Sequence, residues 1–311
     1  LVSALEMALL DLLGQHQNCS ITKFLNPNHF FPLQYSGVLP YLPLEKMEYW
    51  LKVIKGLELP HIKIKVGHKE DLQHLSLARK IFGDEVDIRV DANQAWTLAE
   101  ALPKIRQMEQ FNISCIEEPL KPSHVSKLPY LSTRISTPLL LDESVFTLNQ
   151  AAYFAKRIDS DKLLFNIKIS KSGGLLGASA IHKFAASQGI ACQLGCNVGE
   201  TAILSAAGRI FAQTHDLRYL EGSFAPFFME DDISTIPLKF TKKGRAKRML
   251  NRGLGIMIDS EKLEKYSQQI SKEKNDSITQ ILKKKQHKIL NNHLGFDNTV
   301  LALNTITNKW F

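Results

Sequence analysis

The fold this sequence predicts is a closed barrel of alternating strands and helices, a TIM barrel of (β/α)7β type in the α/β class. Three observations predict it. Between residues 32 and 222, eight short apolar runs recur at a spacing of about 25 residues, and β-branched or Leu-rich runs at such intervals are what buried parallel strands produce. Amphipathic stretches of helical period separate them, such as LEKMEYWLKVIKGL (44–57), DLQHLSLARKIFG (71–83) and LAEALPKIRQMEQF (98–111). The chain contains neither GxGxxG nor GxxxxGK[ST], so a nucleotide-binding turn of the kind found in open doubly wound sheets has no support. An open sheet is the structural alternative, and eight strands in alternation with helices favour closure.

In chain order, LVSALEMALLDLLG (1–14) comes first. Leu5, Met7, Ala8, Leu9 and Leu12 give it a broad apolar face, which predicts a helix with Gly14 as its C-cap. No charged stretch or small-residue cleavage site precedes it, so it does not read as a signal peptide. It reads as a helix whose upstream partners are missing from the sequence. The expected strands are FPLQYSGV (32–38), HIKIKV (61–66), EVDIRVDAN (85–93), SCIEEP (114–119), TPLLLDES (137–144), LLFNIKIS (163–170), IACQLGC (190–196) and LRYLEG (217–222). Pro103 is expected in the first turn of its helix, where a missing N–H does little harm. Residues 223–260 hold turns and the apolar run GLGIMID (253–259). Residues 261–291 are polar and Lys-rich, and 292–311 turn apolar again, which predicts a tail that is helical in parts.

Composition narrows the partners. Of 311 residues, 44% are hydrophobic and 23% charged, ordinary for a folded soluble chain and unlike a disordered one. No apolar run approaches the roughly 20 residues that cross a bilayer, so an integral membrane protein is not expected. The net charge is +8, yet residues 241–311 carry 15 basic and 6 acidic side chains, leaving 24 and 25 in residues 1–240. A nucleic-acid or membrane-surface role would have to rest on that tail, whose lysines are not interleaved with aromatic residues, so the usual base-stacking platform is missing. Cys19, Cys115, Cys192 and Cys196 form no CxxC pair, which points to a reduced, cytoplasmic setting.

Active sites of such barrels sit at the C-terminal ends of the strands. Strand two carries Lys63 and Lys65, two apart and therefore on one side. Strand three ends in Asp91, followed by Asn93. Strand four ends in Glu117 and Glu118, strand five in Asp142 and Glu143, and strand six offers Lys168. Any one of these alone would read as a strand end reaching solvent. Together, three carboxylates converging in one barrel mouth repel unless a cation neutralises them. Oxygen-only ligands suit a hard ion, Mg2+ first, with Mn2+ as a substitute. Lysines near such an ion, partly desolvated, become general bases near neutral pH. Lysines on opposite walls could address opposite faces of one substrate carbon. Glu118 stands as the alternative to Glu117 and Lys171 as the alternative to Lys168. Asn93 and Glu143 are expected to orient the ligands. Cys192 and Cys196 read as buried strand residues, His182 and His215 as structural or surface groups, and Glu221 either lines the site or is structural.

The series KIK (63–65), DAN (91–93), EEP (117–119), DES (142–144) and KISKSGG (168–174), in this order on successive strands, resembles the enolase superfamily. Within it, the series is similar to the muconate-lactonizing-enzyme subgroup of the mandelate racemase/muconate lactonizing enzyme family, which also holds o-succinylbenzoate synthases, N-succinylamino acid racemases and dipeptide epimerases. The resemblance covers about residues 1–260. It implies Asp91, Glu117 and Asp142 as Mg2+ ligands, Lys65 and Lys168 as the acid/base pair, and Lys63 as an auxiliary to Lys65 and the substrate carboxylate. The implied reaction removes the proton alpha to a carboxylate of a small carboxylic acid or N-acyl amino acid, through a metal-stabilised enolate. An isomerase (racemase, epimerase or cycloisomerase) is favoured. The alternatives are an o-succinylbenzoate-synthase-like dehydratase, or a non-catalytic metal- or ligand-binding barrel with a basic interaction tail. A homo-oligomer is expected, and the composition read above points away from a membrane partner and disfavours a nucleic-acid one.

The resemblance also assigns residues 1–31 to the remnant of a truncated N-terminal capping domain, 32–222 to the barrel, 223–260 to a segment returning to the cap, and 261–311 to an extra basic C-terminal tail. One departure concerns the substrate. Glu221-Gly222-Ser223 stands where dipeptide epimerases typically place Asp-x-Asp.

Overall fold

The computed structural model describes residues 1–26, 28–229 and 231–267. Most of the basic tail, including Lys283–Lys285, lies outside the described residues. Eight parallel strands pair in chain order: β1 (Gly37–Leu39), β2 (His61–Lys65), β3 (Asp87–Asp91), β4 (Ile116–Glu117), β5 (Leu139–Leu141), β6 (Leu163–Ile167), β7 (Ala191–Leu194) and β8 (Tyr219–Leu220). The ring closes just before β1, where Tyr35 bridges Leu220 in parallel and the Ser36 N–H donates to the Leu220 carbonyl at 2.8 Å. The fold is therefore the α/β barrel and not the open sheet. Helices α1 (Val2–His16) and α2 (Thr22–Leu25) precede it. The crossovers contain α3 (Leu44–Gly56), α4 (Asp71–Phe82), α5 (Leu98–Glu109), a 3-10 turn (Pro122–Lys127) with α6 (Leu128–Ser132), α7 (Leu148–Ala155), α8 (Gly174–Ser187) and α9 (Ala202–Thr214). After β8 come α10 (Ala225–Phe228) and α11 (Ser260–Tyr266); the chain divides into two units, Leu1–Ser260 and one that begins at Glu261. Among the described residues no helix is long and apolar enough to cross a membrane.

The period of two decides what lines the ring. Ile62, Ile64, Ile88, Val90 and Ile116 face the helices and belong to the main core, fully buried. The alternate positions point inward. There Cys115, Leu140, Leu164 and Tyr219 form a separate small apolar cluster. Two residues further along the same strands stand Glu117, Asp142, Asn166 and Glu221. The ring is thus filled with an apolar layer below and a charged one above, at the C-terminal ends.

Three local expectations are corrected. Helix α1 runs on to His16 and is capped at Gln17, so Gly14 is inside it. What requires glycine there is close approach, since a Cβ would stand 2.7 Å from Gly253 Cα and 2.9 Å from the Cys19 carbonyl. The first strand is shorter and later than its apolar run, because Gln34 bridges Arg245 and Tyr35 bridges Leu220 before β1 begins at Gly37. Pro103 is the sixth residue of α5. It is tolerated because it lies on the exposed face, as does Ala99, whose carbonyl loses its intrahelical partner on the side open to solvent.

Helix starts follow local chemistry. Thr97 accepts the Glu100 N–H while Glu100 accepts the Thr97 N–H at 2.8 Å, a reciprocal cap on α5. Thr97→Ala is expected to cost about 1 kcal/mol, read as a lower urea midpoint; an unchanged midpoint contradicts the cap's contribution.

At the end of α9, His215 is buried, stacks on Phe211 at 4.0 Å between ring centres, and its Nδ1 lies 3.0 Å from the Phe211 carbonyl. A carbonyl only accepts, so Nδ1 carries the proton of the neutral ring. Burial pushes its pKa down to about 4. The unfolded chain binds the proton near pH 6.5 and the folded chain does not, so stability falls as pH drops from about 6.5 to 4 and levels off below that. His215→Gln is expected to lose about 2–3 kcal/mol less than wild type between pH 7 and 4.5. Denaturant unfolding at both pH values checks this, and equal losses in the two proteins would contradict it.

Candidate active site

The strand ends assemble one level. Lys65 ends β2, Asp91 ends β3 and Glu117 ends β4, and they stand in register across the sheet. Asp142 and Lys168 directly follow β5 and β6. Backbone strain is concentrated here, with Asn93, Gln94 and Glu118 at φ of 42°, 64° and 36°. L-residues hold such a conformation only where surrounding bonds enforce it. The Gln94 N–H donates to the Glu118 carbonyl at 2.7 Å and the Asn93 N–H to Asp91 Oδ1 at 2.9 Å.

Lys63 is the buried hub. Its Nζ lies 3.0 Å from Glu117 Oε2, 2.9 Å from Glu221 Oε2 and 3.5 Å from Asp91 Oδ2. Burial works against its charge, but Glu117, Glu221 and Asp91 overcome this and hold its pKa well above the usual range. The other Glu221 oxygen accepts from Arg89 at 2.8 Å, and the Arg89 guanidinium lies 4.0 Å over the Tyr219 ring. Glu221 is thus tied into the charged layer. Glu117 also accepts from Asn166 Nδ2 at 2.6 Å. Burial pushes the Glu117 carboxyl up to about 8, with repulsion from Asp91, Glu221 and Asp142 adding to it and Lys63 opposing.

The remaining lysines occupy the other two carboxylates. Lys65 Nζ donates to Asp91 Oδ2 at 2.6 Å and to Asn93 Oδ1, and Asn93 Nδ2 donates to Glu143 at 3.2 Å. Lys168 and Lys171 both donate to the Asp142 carboxylate, and Lys171 also to its carbonyl. Burial raises the Asp142 pKa, but Lys171 and Lys168 outweigh it and bring the net shift down. Lys168 departs from the expected lowering. Burial does depress it, yet the Asp142 carboxylate reverses the sign and its pKa is raised. For Lys171 burial wins and the pKa is lowered.

All eight site residues expected from the sequence come together in this layer, and four further ones join them. Lys171 arrives because the turn after β6 curls back, with the Lys171 and Ser172 N–H groups donating to the Lys168 carbonyl. Arg89 and Asn166 are fully buried within it. They lie two residues before Asp91 and Lys168, so the alternation that selected those two also points to them. Glu221 is the fourth. Glu118 turns away from the lysines and accepts the Asp142 N–H at 2.9 Å, the Ser144 N–H at 3.1 Å and the Ser144 hydroxyl. Burial pushes its carboxyl up to about 7. Cys192 is buried in β7, Cys196 follows that strand, and all four cysteines are free.

Among the described residues no three His, Cys, Asp or Glu side chains are assembled as they stand to hold a metal ion. The donor chemistry nevertheless fits a hard cation. Asp91, Glu117 and Asp142 are oxygen-only, nearly fully buried and mutually repelling. Their charge is met by ammonium groups, which a divalent ion would have to displace from Asp91 and Asp142.

A family model described as "Enolase C-terminal domain-like" matches residues 51–262. The hydrophobic dipeptide epimerase of Enterococcus faecalis is 29% identical over 208 residues, covering 67% of this chain and 55% of that protein. The muconate lactonizing enzyme from Klebsiella pneumoniae superposes with a TM-score of 0.77 at 28% identity, over 86% of this chain and 75% of that one. The dipeptide epimerase from Cytophaga hutchinsonii, complexed with Mg and D-Ala-L-Val, gives 0.77 at 26% identity, over 85% and 72%. The chain spans about half to two thirds of the length of the curated relatives it matches.

Proposed function

From the chain's membership of the enolase C-terminal domain-like family, in the muconate-lactonizing-enzyme subgroup of the enolase superfamily, we propose that it is an isomerase that removes and returns a proton alpha to a carboxylate. One observation carries the reading. Lys65 on β2 and Lys168 after β6 belong to strands four places apart in a ring of eight. They therefore stand on opposite walls, with Asp91, Glu117 and Asp142 between them. A carbon held there has one ammonium or amine on each face, so one lysine removes the proton and the other returns it, inverting the centre.

Asp91, Glu117 and Asp142 would hold Mg2+, or Mn2+ in its place. That ion supplies positive charge to fix the substrate carboxylate and to offset the charge that develops as the alpha proton leaves. With the Asp142 carboxylate given over to such an ion, its hold on the Lys168 ammonium would weaken, leaving burial to favour the neutral amine that a general base needs. Lys63, locked by its carboxylates as a permanent cation, holds positive charge beside Lys65. Arg89 and Asn166 keep Glu221 and Glu117 in place.

Racemisation or epimerisation fits best, on an N-acyl amino acid or another small acid without a free ammonium. Glu221, which begins the segment where the family resemblance places the acidic motif of dipeptide epimerases, is engaged by Lys63 and Arg89. The test is deuterium uptake from D2O at the alpha carbon, followed by NMR across N-acyl amino acids, dipeptides and small acids. Exchange is expected with Mg2+, to vanish with EDTA and to return with Mg2+ or Mn2+. Exchange that survives chelation, or none across the library, sinks the reading.

A further inference from the structure

We propose that Glu6 on α1 is a positioning residue for Lys168, acting through the first turn of α8; this rests on the two-lysine reading above. Unlike α5 and α7, which Thr97 and Thr147 cap with their side chains, α8 (Gly174–Ser187) has Gly173 (φ 83°) at its N-cap and no side-chain cap of its own. Its unpaired N–H groups are met from outside. The two Glu6 oxygens accept the Leu175 N–H at 3.0 Å and the Leu176 N–H at 2.8 Å, at the end of a helix where negative charge is favoured. Gly174 makes room, since a Cβ there would lie 2.2 Å from Glu6 Oε2.

Ser3 lies three residues before Glu6 and so on the same face of α1. It donates to the Ser170 carbonyl at 2.8 Å. One face of α1 thereby grips the turn 168–174 at its middle and just beyond its end. That turn is stiff inside, with the Lys171 and Ser172 N–H groups bonded to the Lys168 carbonyl and the Gly174 N–H to the Ile169 carbonyl. A shift at the start of α8 is therefore carried to the backbone of Lys168 and to Lys171 on Asp142. Lys65 hangs from β2 across the ring, held by Asp91 and Asn93. Glu6 thus bears on one wall of the site and not on the other.

The two walls can be read separately, because each lysine exchanges the proton of one epimer only. Lys65→Ala and Lys168→Ala, assayed in the full chain with Mg2+, assign the faces. Glu6→Ala is then expected to slow exchange on the Lys168 face about tenfold or more while the Lys65 face stays within about twofold. Glu6→Gln, which keeps one acceptor oxygen, should fall between, and Ser3→Ala should shift the same face by less. Loss on both faces equally, or on neither, overturns the proposal. Hydrogen exchange by mass spectrometry reads the positioning without turnover. Glu6→Ala, or Ser3→Ala if that variant does not fold, must deprotect amides 168–176 and leave 63–65 protected, and unchanged protection overturns the proposal whatever the activity. Wild type that exchanges neither epimer while these amides respond as expected would sink the two-lysine reading alone.

Discussion

Lys168→Ala is expected to abolish epimerisation and to lower alpha-proton exchange from one epimer by about 10²–10⁴-fold, the usual contribution of a positioned general base. Exchange from the other epimer should persist, because Lys65 on β2 still reaches its face. Lys168→Arg is not expected to rescue activity: it keeps the charge, but a guanidinium does not give up its proton. The result also decides between neighbours. Lys171 shares Asp142 with Lys168 and burial lowers its pKa. If Lys171→Ala erases exchange on that face and Lys168→Ala spares it, then Lys171 is the base and the assignment to Lys168 is wrong.

Arg89→Met should destabilise the folded chain by about 3–5 kcal/mol, the range for breaking a buried ion pair from one side. Arg89 is fully buried, donates to Glu221 at 2.8 Å and lies over Tyr219. Removing it leaves a buried carboxylate that Lys63 must neutralise while also serving Glu117 and Asp91. The double variant Arg89→Met/Glu221→Gln should therefore lose less than the sum of the single losses, since the stranded charge is gone. Urea unfolding of the four proteins measures this coupling, and strict additivity would show that the pair is not a unit.

How much of this was legible beforehand follows from the range of the interactions. Alternation within a strand is a local property, so HIKIK and DIRVD declared which side chains share a face, and the boundaries of β2 and β3 fall within their apolar runs. The same alternation would have placed Arg89 and Asn166 in the ring. A buried Arg is believable only with a partner, however, and Glu221 lies on the last strand. Capping boxes are equally local. Gly14 is the opposite case, because its Gly253 neighbour is far along the chain, and nothing nearby distinguishes a glycine that ends a helix from one that admits another backbone. The sequence offered Lys171 only as the alternative to Lys168, and not as its companion on Asp142, because a turn's path is set by what it bonds to, here Asp142 and the α1 face.

By itself, then, the sequence determined the barrel, the strand ends and the carboxylate–lysine series, since these rest on periods of two and 3.6 and on spacing along one chain. The tertiary structure alone decided the pairing. It closed the ring at Tyr35 and Leu220, turned Glu117 toward Lys63 and Glu118 away, drew Lys171 onto Asp142, and set Glu6 on the start of α8. Charges buried at one level of a ring must neutralise one another across it, and which ones meet depends on closure, a property no single segment carries.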